Sequence, residues 1–119
     1  CGFEAGMGRN AARAFLSLPQ RPTAVFCSND LAAMGFMSEV HRHGLSIPDD
    51  VSILGFDDIV LAESYIPALS TIHQPKDEIG RRAMNLLLDI IEKRNVEPIP
   101  LVEVPVHLVP RDSVKRIAR

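Results

Sequence analysis

Apolar residues recur along the chain at two spacings, one typical of amphipathic helices and one typical of buried strands. The helical spacing runs through residues 6–18, ends at Pro19, and returns in residues 31–42 behind a Ser-Asn-Asp run suited to helix capping. The longest helix is predicted to begin at Gln74-Pro75, because proline suits the first helical position. The apolar stripe of the first helix is Met7, Ala11, Ala14, Phe15 and Leu18, and that of the longest helix is Ile79, Ala83, Leu86, Leu87, Ile90 and Ile91.

Short apolar runs between the helices predict strands. Residues 23–27 are continuous and β-prone, as expected for a strand buried on both faces, and residues 51–55 and 69–72 predict two more strands. Prolines interrupt the apolar runs at 101–104 and 106–109, which favours edge strands or extended crossing segments. Because helices and strands alternate, we predict an α/β fold, a parallel sheet with flanking helices.

Charge and composition narrow the possible partners. The 119 residues include 13 basic and 15 acidic side chains, so no field of one sign is available to hold nucleic acid phosphates. This chain alone is therefore expected not to bind DNA. No apolar run is long enough to cross a bilayer, and the first residues do not resemble a signal peptide, so no membrane association is expected. Two cysteines, Cys1 and Cys27, form no disulfide framework and favour a reducing cytoplasm.

Polar side chains follow three of the predicted strands. In an open parallel sheet, ligands bind outside the carboxyl ends of the strands. Asn29, Asp57 and Gln74 lie at such ends. An amide offers both donors and an acceptor, and an ionised carboxylate accepts from two hydroxyl groups, so the set suits a polyhydroxylated ligand. Each residue also has a simpler interpretation: Asn29 as a helix cap, Asp57 as part of a solvated turn, and Gln74 as the residue before a helix-starting proline.

The sequence does not favour catalysis. His41 and His43 are two residues apart and point in different directions on a helix, which makes them a poor metal pair. Cys27 has no activating partner in the sequence, and no nucleophile elbow or dinucleotide-binding fingerprint is present. We therefore expect no enzyme activity, no bound metal and no cofactor.

Three stretches resemble the lac/galactose repressor family of bacterial transcription regulators. They are RPTAVFCSNDLAAMGFMSEVHRHGLSIPDDVSILGFDD, YIPALSTIHQPKDEIGRRAMNLLLDII and the closing LVPRDS, which together cover nearly the whole chain. The resemblance implies a two-lobed fold like that of periplasmic binding proteins. It also implies a cytoplasmic homodimer that binds operator DNA only through an N-terminal headpiece, which is absent from this sequence.

The resemblance also implies roles for individual residues. Asn29 and Asp57 would contact a small-molecule effector, and Gln74 would lie where the chain crosses between the lobes. An amide at position 29 departs from the purine-responsive branch of the family, which favours a sugar or nucleoside. The surface that pairs two copies would include Met34, Tyr65 and Ile66.

The implied lobes divide the chain unevenly. Residues 1–73 and about 101–113 would belong to the second lobe, and a helix at about 75–95 would belong to the first lobe. Effector binding between the lobes would change their orientation and so alter operator affinity, which is effector-linked allostery. Two alternatives remain open from the sequence: a periplasmic sugar-binding protein of a transporter, and an enzyme on a similar doubly wound sheet.

Overall fold

Helices and strands alternate along the chain in the computed structural model, which describes residues 4–92 and 101–117. Cys1 and positions 93–95 of the predicted first-lobe segment lie outside the described residues. The elements in chain order are α1 (Ala5–Leu16), β1 (Ala24–Phe26), α2 (Asp30–Arg42), β2 (Ser52–Leu54), α3 (Val60–Ser64), β3 (Thr71–His73), α4 (Lys76–Ile91) and β4 (His107–Val109). The longest helix begins one residue later than predicted, because Pro75 precedes its first turn.

The strands pair in the order in which they occur along the chain. β1 and β2 are parallel, with Val25 opposite Ile53, whereas β3 and β4 are antiparallel, with Ile72 opposite Leu108. Two parallel bridges, Leu54 to Ser70 and Asp57 to His73, connect β2 to β3. The predicted α/β class is confirmed. Residues 101–106 form no regular strand, so β4 is restricted to the second of the two proline-flanked runs.

The chain forms two compact units. One comprises Cys1–His73 and His107–Arg119, and the other comprises Gln74–Val106. The second unit contains α4, none of whose residues is buried. The assignment of this helix to a different lobe of a longer protein stays a prediction.

The core of the first unit lies between the sheet and the pair α1 and α2. The rings of Phe15 and Phe36 meet edge to face with centroids 5.3 Å apart. α2 is buried around most of its circumference. The buried apolar residues are Ala12, Phe15, Cys27, Ala32, Ala33, Met34, Phe36, Met37, Val40, Val51, Ile53, Ala62 and Leu69.

The predicted stripe of α1 is wrong in all but one residue. The buried residues of this helix are Gly8, Ala12 and Phe15, whereas Met7 is 44% exposed. A Cβ atom built on Gly8 would lie 1.9 Å from the carbonyl oxygen of Ala32 in α2. The two backbones approach so closely that only small residues fit between them, so the contact face is not the face with the largest apolar side chains.

The expectation that β1 is buried on both faces is also wrong for this chain. Phe26 is 63% exposed, because α1 and α2 cover the opposite face of the sheet. The uncovered face forms an open apolar depression of about 440 Å³. Its lining residues include Ala24, Phe26, Leu54, Leu108, Pro110 and Val114.

Candidate functional site

The loops that follow β1 and β2 are joined by a backbone hydrogen bond. The amide of Asp30 donates to the carbonyl oxygen of Phe56 at 2.9 Å. Asn29 and Asp57 each lie one residue from this bond, so the two predicted effector ligands of the first unit occupy adjacent loops. On the other side, the amide of Asp57 donates to the carbonyl oxygen of Ile72 at 2.9 Å, which ties the loop to β3.

Asn29 caps the N-terminus of α2. Its Oδ1 accepts a hydrogen bond from the amide of Ala32 at 2.7 Å, and its own backbone is extended. The side chain is buried, with 4% exposure. The simpler interpretation of this residue as a helix cap is therefore observed. A cap uses only the amide oxygen, and an effector contact through the amide nitrogen stays a prediction.

Asp57 and Asp58 form a turn with two successive positive φ angles, 116° and 55°. Residues other than glycine rarely adopt positive φ, and each such residue costs about 1–3 kcal/mol. The turn persists because contacts from other elements hold it. Asp57 is half-buried at the carboxyl end of β2, where the sequence predicted a ligand contact.

Asp58 is held by two side chains from distant parts of the chain. Its Oδ1 accepts a hydrogen bond from Nη2 of Arg111 at 2.7 Å, and its Oδ2 pairs with Nδ1 of His73 at 2.8 Å. Burial raises the pKa of the Asp58 carboxyl, but the hydrogen bonds and charges of Arg111 and His73 outweigh burial and hold the pKa below its ordinary value. Asp58 therefore stays ionised at neutral pH.

Asp30 links the loop after β2 and strand β3 from within the core. The side chain is fully buried, and its two oxygens accept from the Thr71 hydroxyl at 2.5 Å and the Ile59 amide at 2.8 Å. Gly55 packs against it so closely that a Cβ atom there would lie 2.3 Å from Asp30 Oδ1. The Asp30 carboxylate thus joins the start of α2 to the loop after β2 and to β3.

The closing segment of the chain completes this network. The Ser113 hydroxyl, fully buried, donates to the Ile53 carbonyl oxygen at 2.6 Å and accepts from the Ser70 amide at 2.8 Å. Nη1 of Arg111 donates to the Leu69 carbonyl oxygen at 2.8 Å. Sequence reasoning singled out neither Arg111, which reaches the Asp57-Asp58 turn, nor Ser113, whose hydrogen bonds lie within the sheet and not at the turn. The signal that could have found them is their position in the closing LVPRDS stretch that carried part of the family resemblance.

The other predicted site residues lie apart from this network. Gln74 is the first residue of the second unit and is half-buried. Of the predicted pairing surface, Ile66 is 92% exposed, whereas Met34 is only 7% exposed and packs in the core. The Tyr65 hydroxyl donates to the Met34 carbonyl oxygen at 3.1 Å. Met34 thus offers little side-chain surface to a second copy, and the predicted surface depends mainly on Ile66.

The described residues offer little for covalent or metal chemistry. Cys27 is a buried free thiol, and burial raises its pKa to about 11, so the reactive thiolate is scarce at neutral pH. Within residues 4–92 and 101–117, no group of three or more His, Cys, Asp or Glu side chains is placed to hold a metal ion. In the same stretch, no helix has the length and apolar character needed to cross a bilayer.

A sheet with polar loops at the carboxyl ends of its parallel strands defines an α/β domain of the kind that periplasmic binding proteins share. The family described as periplasmic binding protein-like domain matches residues 3–114, and the chain belongs to that family. The HTH-type transcriptional repressor PurR of Escherichia coli O139:H28 (strain E24377A / ETEC) is 46% identical over 112 residues, which are 94% of this chain and 33% of PurR. This chain thus spans about a third of the length of the curated relatives that it matches.

The chain is also similar to solved structures of transcription regulators. The transcriptional regulator CelR in complex with cellobiose is 33% identical with a TM-score of 0.86, and the match covers 93% of this chain and 34% of CelR. The lac repressor dimer bound to operator and the anti-inducer ONPF is 31% identical with a TM-score of 0.83, and the match covers 94% of this chain and 38% of that repressor. The resemblance to the lac/galactose repressor family is confirmed.

Proposed function

We propose that this chain is the effector-binding and dimerisation part of a DNA-binding transcription repressor that senses a sugar or nucleoside. The observation that carries the proposal is the placement of Asn29 and Asp57 on hydrogen-bonded neighbouring loops at the carboxyl ends of parallel strands. The family membership supports this use of the strand ends, and the relatives PurR and lac repressor are transcription repressors.

In the proposed mechanism, the Asp57 carboxylate accepts hydrogen bonds from ligand hydroxyl groups, and Asn29 donates from its amide nitrogen. Gln74 is the third proposed ligand contact. The ligand shifts operator affinity by binding the two states of the intact repressor with different affinities. Operator DNA is contacted by a headpiece that this sequence does not include, and the repressor acts in the cytoplasm as a homodimer.

Two alternatives are less well supported. A periplasmic sugar-binding protein has the same fold, but PurR and lac repressor, two of the relatives described above, are transcription repressors. An enzyme on a similar sheet is less well supported because PurR and lac repressor, which the chain resembles, are transcription repressors. A turnover screen against phosphosugars tests the enzyme alternative.

The first prediction concerns ligand contacts. In the full-length protein, Asp57→Ala and Asn29→Ser should each weaken binding of a sugar or nucleoside by about 1.5–3 kcal/mol, measured by calorimetry, because each removes a polar contact to the ligand. Serine keeps the helix cap, so Asn29→Ser separates the two roles of this residue.

The control for this prediction is stability. Thermal unfolding of Asn29→Ser should match that of the wild type, whereas Asn29→Ala should lose about 1 kcal/mol with the cap. Unchanged affinity in both Asp57→Ala and Asn29→Ser would show that these residues serve only as turn and cap.

A further inference from the structure

The turn that presents Asp57 has an unusual backbone that other elements must hold. Asp58, at φ 55°, lies in the left-handed region that aspartate tolerates, whereas Asp57, at φ 116°, lies outside it. The position of the Asp57 carboxylate therefore depends on how firmly its neighbour is fixed.

Arg111 supplies the most direct hold on this turn from the closing segment. Its guanidinium donates through Nη2 to Asp58 and through Nη1 to the Leu69 carbonyl oxygen, at 2.7 and 2.8 Å. The side chains of Arg111 and Asp58 are only 16% and 17% exposed, so solvent competes weakly for the ion pair. A planar guanidinium with two fixed acceptors sets a direction as well as a distance.

The other oxygen of Asp58 is held by His73 of β3, which the returning chain supports through β4. His73, which pairs with Oδ2, stacks against His107 in β4 with ring centroids 4.8 Å apart. Both oxygens of Asp58 are therefore held by groups that β3, β4 and the closing segment position.

We propose that Arg111 is a positioning residue of the effector site: it holds Asp58, and through Asp58 it holds the turn that directs Asp57 at the ligand. This inference rests on the proposed function, because it assigns Arg111 to the same site. Arg111 acts through a neighbour, since its hydrogen bonds go to Asp58, Leu69 and Ser70.

The test is calorimetry on the full-length protein with lactose, cellobiose, adenosine and guanosine as probes. Arg111→Met removes the charge and both guanidinium hydrogen bonds. For any of the four probes that binds the wild type, this variant should bind about tenfold more weakly, equivalent to about 1.4 kcal/mol. Arg111→Lys should recover part of the loss, because it restores the charge facing Asp58 but cannot reproduce the forked contact.

Ser113→Ala is the matched control. It removes buried hydrogen bonds of the same segment without touching Asp58, so it should lower the unfolding temperature while leaving affinity within about twofold. If Arg111→Met does not fold, Asp58→Asn tests the same positioning role. Asparagine tolerates the left-handed backbone but removes the charge that faces Arg111, so the affinity for the probe should still fall.

The outcomes separate this inference from the proposed function. Normal affinity in Arg111→Met, or in Asp58→Asn if that variant is needed, together with weak binding by Asp57→Ala, overturns the positioning role and leaves the proposed function in place. No binding of any of the four probes to the wild type overturns the proposed ligand class, and the positioning role with it.

Discussion

At the scale of single residues, the proposed ligand contacts are visible in the sequence, but the groups that fix their loops are not. Asn29 and Asp57 stand directly after apolar runs, so their position at strand ends is visible in the linear pattern. Arg111 lies 53 residues from its partner Asp58, and no local spacing relates the two. The same holds for Thr71 and Asp30, whose contact spans 41 residues.

The second prediction follows from the lowered pKa of Asp58. A carboxyl whose pKa is lower in the folded state stabilises the fold fully above its unfolded pKa of about 3.9, and that stability is lost as the pH falls through the folded pKa. Asp58→Asn should therefore be less stable than the wild type at pH 7, and the difference should shrink in acid. Urea unfolding from pH 7 down to pH 2.5 measures it. A constant difference across that range would contradict the prediction.

At the scale of elements, the helices and strands follow from the hydrophobic pattern, but the faces they bury do not. The periodicity placed α1, α2 and α4 to within a few residues. It failed on the contact face of α1, because periodicity finds the largest apolar side chains, whereas the close approach to α2 selects for the smallest. It also assigned β1 two buried faces, because apolar composition cannot tell which segment covers each face.

The third prediction tests this helix contact. Gly8→Ala should destabilise the fold by about 2 kcal/mol, because its Cβ would lie 1.9 Å from the Ala32 carbonyl oxygen and the helices must separate. Gly35→Ala should act similarly, since its Cβ would lie 2.0 Å from the Ala5 carbonyl oxygen.

Gly6→Ala is the matched control in the same helix, because its Cβ would meet only the end of the Arg9 side chain, at 3.8 Å. It should leave stability unchanged or raise it slightly. Urea midpoints of the three variants measure the effect. Equal midpoints for Gly6→Ala and Gly8→Ala would show that the helices adjust without cost.

At the scale of the whole molecule, the apolar side chains that remain exposed bear on association between two copies. Within a few residues of Ile66 in the chain, which is 92% exposed, Val60 and Leu61 are 89% and 58% exposed. Apolar residues that cluster on a surface mark association sites more often than single ones do. Of these three residues, Ile66 belongs to the surface that the family resemblance implied for pairing of two copies.

The fourth prediction concerns that surface. In the full-length protein, Ile66→Asp should shift the sedimentation coefficient from dimer to monomer, because a charge would be buried without a partner. Ile66 is a cleaner target than Tyr65, whose hydroxyl also bonds to Met34 within the same copy. Ile117→Asp, at a residue 59% exposed elsewhere in the chain, is the control and should remain dimeric. A dimeric Ile66→Asp variant would place the interface elsewhere.

The discontinuity of the first unit has a consequence for synthesis. β4 pairs with β3, but residues 74–106 separate them in the chain. Closing a loop of that length costs about 3 kcal/mol of chain entropy, and the pairing cannot begin before residue 107 leaves the ribosome. Until then, Arg111 is not present to hold the loop after β2, and Ser113 is not present to bond to Ile53 within β2. A nascent chain paused within residues 74–106 would therefore carry β3 with the edge that β4 later covers still unpaired, and an unpaired strand edge can pair with another chain.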